Sequence, residues 1–97
     1  MWIQLADRIR GFQCQARRNG GFCDHSGCDR AEAMALSCET IAVGQKPRRS
    51  MSEIHSYLKS KRCSLSRSNF QCSHKACDEL EKWCNFVLSH LAARKAA

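Results

Sequence analysis

No apolar run approaches the ~20 residues that a transmembrane helix needs, so no transmembrane helix is expected and the chain should be soluble. The opening Met1-Trp2-Ile3-Gln4 meets Asp7 and Arg8 at once and lacks the apolar core of a secretory signal. The expectation is an intracellular protein, or a mature form behind an added Met1. There is no glycine-rich phosphate loop, because Asn19-Gly20-Gly21 has the composition of a turn. No stretch alternates with period two, which argues against strands. Asn-x-Ser/Thr is missing, which removes one sign of secretion without arguing against it. The C-x2-C knuckle, the commonest zinc signature, is missing too.

Cysteine is abundant. Eight occur in 97 residues, a density that suits secreted disulfide scaffolds or zinc domains. Six of them are repeated: Cys14, Cys23, His25, Cys28 and Asp29 recur 49 positions later as Cys63, Cys72, His74, Cys77 and Asp78. Each half therefore carries C-x8-C-x-H-x2-C-D, an internal repeat that chance explains poorly. A chain this short buries little core, so a cross-link at these cysteines is expected to support it.

The spacing of Trp2, Leu5, Ile9 and Phe12 predicts an amphipathic helix ending near Gly11. A basic loop with Arg17, Arg18 and the Asn19-Gly20-Gly21 turn then returns the chain to Cys23. Beyond Cys28, Asp29 and Glu32 suit a helix N-terminus, and Ala31, Met34, Ala35, Cys38, Ile41 and Ala42 form one apolar face that should stop at Gly44. Lys46-Pro47-Arg48-Arg49 has linker composition, and Ser50 with Glu53 fits a capping box. The second half runs in parallel. Ile54 and Leu58 take the places of Leu5 and Ile9, the loop holds Arg67 and Asn69, and Leu80, Trp83, Cys84, Val87, Leu88 and Leu91 form the strongest helical stripe, with Arg94 and Lys95 near its end. The sequence thus predicts an all-α fold: one small cysteine-rich four-helix domain over 1–97, built of helix–loop–helix repeats 1–44 and 50–97 joined by linker 45–49. The two long helices are expected to pack their stripes together. Trp2 and Trp83 are assigned to the core.

Zinc prefers thiolates and imidazoles in a tetrahedron, and a C-x4-C pair at a helix start supplies two ligands from one turn. Cys23 with Cys28 and Cys72 with Cys77 have that spacing; Cys14 and Cys63 would add a third sulfur, and His25 and His74 would complete each site. The result is two zinc ions (Zn2+), each on three cysteines and one histidine. A recurring histidine has little reason to accompany a purely disulfide framework. The arrangement loosely resembles TAZ-type zinc domains, in which a C-x4-C pair opens a helix and other ligands close the preceding one. Those domains place a histidine four residues before the closing cysteine, where this chain has Arg10 and Lys59, so that family is not carried over.

Disulfides remain the competing reading. Cys38 and Cys84 sit on the long apolar stripes at non-equivalent positions, where they could bond to each other, bond within their halves, or stay reduced in the core. Zinc implies an intracellular protein, disulfides a secreted one.

Thiols repeated in a framework look structural, so no enzymatic activity is expected. The formal net charge is +7. Three thiolates and a neutral imidazole around a divalent ion carry one net negative charge, so two such sites bring +7 to +5 and the surface stays basic. Arg17, Arg18, Lys46, Arg48, Arg49, Lys61, Arg62 and Arg67 are the candidate phosphate-facing cations. Only Phe22 and Phe70 lie near them, too few aromatics to argue base stacking. The expected function is a zinc-stabilised module that binds nucleic acid or an acidic protein. The alternative is a secreted disulfide-rich effector, toxin or signalling protein that binds a protein target. Asp78, Glu79 and Glu81 at the start of the last helix rank protein binding above binding to an anionic membrane surface.

Overall fold

The apolar spacing read from the first residues is expressed as α1, Trp2–Arg10, which buries Trp2, Leu5, Ala6 and Ile9 on one side. The computed structural model describes residues 1–63 and 72–96, the last three by backbone alone. Arg67, Asn69 and Phe70 therefore lie outside the described residues, as do the side chains of Arg94 and Lys95. Among the described residues every regular element is helical. The chain divides into two compact units, Met1–Ser50 and Met51–Ala97.

In the first unit, α1 ends where Gly11, Phe12 and Gln13 donate to Arg8, Ile9 and Arg10 carbonyls at 3.0–3.1 Å, a tight last turn. A one-turn helix follows, α2, Gln15–Arg18, where only a loop was expected. Gly20, at φ 85°, closes it: Gly20 N–H reaches Arg17 O and Gly21 N–H reaches Ala16 O at 2.9 Å. These are the paired bonds of a Schellman ending, so Asn19-Gly20-Gly21 stops a helix. The long helix α3, Ser26–Ala42, starts two residues before Cys28 rather than after it, which places that sulfur in the first turn. Its end uses the same device: Gly44 at φ 78°, with Gly44 N–H on Ile41 O and Gln45 N–H on Thr40 O. The expected stop at Gly44 is thus observed.

Helices α1 and α3 pack on each other. Ala31, Met34, Ala35 and Cys38 are buried against Leu5, Ala6 and Ile9, none of which is measurably exposed. Ile41 is only half-buried and Ala42 exposed, so the stripe is shorter than its sequence suggested.

The second unit repeats the plan with α4, Met51–Ser60, and α5, Lys75–Ala96. Ser50 occupies the position before α4, and Glu53 lies in its first turn. Ile54, Tyr57 and Leu58 of α4 meet Leu80, Cys84 and Val87 of α5 as the buried set. Trp83 and Leu91 are half-buried, and Leu88 is 45% exposed, outside the core expected for it. Each long helix finds its packing partner in the short helix of its own repeat. Leu5 and Ile9 of the first repeat, like Ile54 and Leu58 of the second, supply the apolar stripe that the long helix of the same unit covers. Burying a side chain such as Leu5 or Ile9 contributes roughly 1.5–3 kcal/mol. A handful of such residues per unit leaves a place for a further cross-link.

Candidate metal centre

The loop between the paired helices brings the repeat residues to a point. Cys14 caps α2, Cys23 and His25 follow the Schellman turn, and Cys28 rises from the first turn of α3. Their ligand atoms all lie within 4.8 Å of one another, and those of Cys63, Cys72, His74 and Cys77 do the same in the second unit. With zinc–ligand lengths of about 2.0–2.3 Å, a loaded tetrahedron has edges of roughly 3.5–3.8 Å. The Cys28 Sγ to His25 Nδ1 separation is 3.9 Å, and that from Cys77 Sγ to His74 Nδ1 is also 3.9 Å. Three sulfurs and one imidazole nitrogen at these separations form a zinc-type donor set, made twice by one chain.

No cysteine is disulfide-bonded; all eight are free thiols. Cys38 and Cys84, for which bonding to each other, bonding within their halves and staying reduced in the core were all open, are free and buried in the cores of their own units. Burial pushes the Cys38 thiol up to about 12 and raises that of Cys84. Both behave as small apolar side chains.

The backbone is arranged for thiolates. Cys14 N–H donates to Cys28 Sγ at 3.2 Å, and Cys63 N–H donates to Cys77 Sγ at 3.3 Å. The Arg17 N–H and the His25 side chain draw the Cys14 thiol down to about 6, and the His25 N–H lowers Cys23. Although the Cys14 N–H favours its thiolate, Cys28 is held above the ordinary thiol range by burial and by the sulfurs of Cys23 and Cys14. Cys72 is raised in the same way, against the His74 N–H, by burial and the sulfurs of Cys63 and Cys77. Sulfurs this close repel one another as anions, and a divalent cation at their centre removes that repulsion. The residues therefore fit zinc as a structural ion: four protein donors leave no open position for substrate.

A second layer braces the first-unit cluster. The Arg17 guanidinium pairs with Asp29, and Asp29 and then the nearby Cys23 sulfur favour its charged form. Gln13, 5% exposed, donates from Nε2 to the Cys28 carbonyl at 3.0 Å and to Glu32 at 3.1 Å. Arg10 joins Glu32 and Glu39 with one 2.8 Å contact to each. Sequence reasoning passed over Gln13, whose counterpart in the repeat is Arg62. The recurrence of Asp29 as Asp78 was a signal, but its partner Arg17 lies in a loop that pattern alone does not fold.

The cations proposed for phosphate contact divide. Arg18, Lys46, Arg48 and Arg49 are exposed. Arg17 is committed to Asp29, and Arg62 is half-buried against the Cys84 thiol. Lys61 is exposed, its ammonium 5.3 Å from the Tyr57 ring centroid. None of the described helices is long and apolar enough to cross a membrane.

The fold and site define a class: a small all-helical protein with a zinc-type cluster of three cysteines and one histidine in each of two repeats. Comparison of the chain with protein-family models, curated proteins and solved structures finds no match.

Proposed function

We propose that the chain is a non-enzymatic, zinc-stabilised binding module that presents cations to nucleic acid or to an acidic protein. The observation that carries this reading is the contrast between committed and uncommitted charge. Arg10 and Arg17 are used inside the first unit, whereas Arg18, Lys46 and Arg48 stand exposed on segments fixed by the cluster and by the Gly44 ending. Cations held on an ordered surface attract a polyanion with little ordering cost. Cys38 and Cys84, the two thiols outside the clusters, are buried and raised, which supports a non-catalytic role for them.

A salt titration tests this reading. The zinc-loaded chain should bind a single-stranded oligonucleotide or polyglutamate at low salt, with affinity falling as salt rises. Absence of binding to both at low salt would reject the module's proposed partners.

A further inference from the structure

A groove of about 530 Å³ lies along α3 in the first unit, walled by the segment that follows the helix. Its floor includes Ala33 and Leu36, and Arg48 and Arg49 line its edge. Leu36 is 52% exposed, although the opposite side of the same helix is packed. The wall is fixed at both ends. Gly44 turns the chain out of α3, and Arg49 N–H donates to Ser37 Oγ at 3.1 Å. Ser37 is itself 2% exposed and anchored to Ala33 O at 2.9 Å.

Two carboxylates also line the groove, but each is neutralised from within. Asp29 pairs with Arg17, and Glu32 pairs with Arg10 and accepts from Gln13. Arg48 has no ion pair among the described residues. What the groove offers a partner is therefore positive charge beside an apolar floor. The repeat provides an internal contrast: the offset of 49 places Lys82 where the floor has Ala33 and Asn85 where it has Leu36. The helix–loop–helix scaffold does not itself require a leucine at that exposed position.

From this we infer that the groove docks a short acidic, leucine-bearing peptide segment of a partner protein. Its aliphatic side chains cover Leu36 and Ala33, and its carboxylates meet Arg48. Nucleic acid fits less well, because a phosphate backbone leaves the apolar floor of Ala33 and Leu36 uncovered. The inference rests on the acidic-partner branch of the binding-module reading.

The test uses the zinc-loaded full chain and three labelled probes: an acidic peptide with leucines spaced i, i+4, the same peptide with serine for leucine, and a single-stranded oligonucleotide. Amide shifts should centre on Ala33, Leu36, Thr40 and Arg48 with the leucine peptide. Leu36→Ser and Arg48→Gln should each weaken it about tenfold, the scale of a well-placed interface residue. Lys82→Ala should leave binding unchanged, and both groove variants should keep wild-type zinc content and helicity. Equal binding of the serine peptide, unaltered affinity in both groove variants, or shifts elsewhere would overturn the inference. Oligonucleotide binding without binding of the leucine peptide would overturn it and leave the wider reading standing. Failure of every anionic probe would overturn both.

Discussion

The backbone N–H of Cys14 points at Sγ of Cys28 across 3.2 Å, joining the end of the first loop segment to the first turn of α3. The bond from Cys63 to Cys77 repeats it at 3.3 Å. In each case the donor's own sulfur belongs to the same cluster as the acceptor, so loop closure and sulfur alignment are one event. Several consequences can be measured.

Replacing His25 by Ala should remove one zinc equivalent and loosen the first unit while the second keeps its ion. The measurement is zinc content by elemental analysis together with amide hydrogen exchange. Full retention of metal would show that the histidine is not a ligand.

Arg17→Ala and Asp29→Ala act on the layer outside the ligands. Such groups typically contribute 10–100-fold to metal affinity, so a competition titration with a chelator should show a loss of about that size at the first site. Equal weakening of both sites would contradict the assigned pairing.

The Arg10 clamp carries a pH signature. Hydrogen bonds from Arg10 hold the Glu32 and Glu39 carboxyls below the ordinary 4.5. A depressed folded-state value means that the stabilisation is complete above 4.5 and is lost as pH falls through the lower folded value. Both carboxylates are about a third exposed, so solvent screening keeps the contribution of the Glu39 pair on the order of 0.5–1 kcal/mol. The stability gap between wild type and Glu39→Gln should therefore close on acidification below 4.5. Comparing the two proteins at each pH cancels the metal's own pH dependence.

Leu5 is fully buried between α1 and α3. Leu5→Ala should cost about 2–5 kcal/mol, the range for a core cavity. In so small a unit that loss is expected to be visible as lowered thermal stability without altered zinc stoichiometry. Cys38→Ala should likewise keep both ions, and Cys38 should resist alkylation in the native state because its thiol is buried and held up to about 12.

How much of this was legible in the sequence follows from the range of each interaction. The 49-residue repeat and the helical stripes are local patterns, and they gave the helix–loop–helix units, the Gly44 ending and the ligand sets around His25 and His74. The partner of each stripe was not local. Leu88 and Ala42 fit the period yet are exposed, although Val87 beside Leu88 is fully buried. Tyr57 stands where the first repeat has Arg8, so the repeat pointed away from its burial. Gln13 and Arg17 became visible only when the loop folded, because a contact with a distant carbonyl or carboxylate leaves no periodic trace.

The central claim is that the repeated cysteines and histidines hold zinc. Intact mass of protein purified without reductant, recorded under native and then denaturing conditions, tests it most directly. The account predicts two zinc ions on the native chain, lost on chelation, and eight free thiols in the denatured one. A chain carrying no metal and lacking eight hydrogens would contradict it.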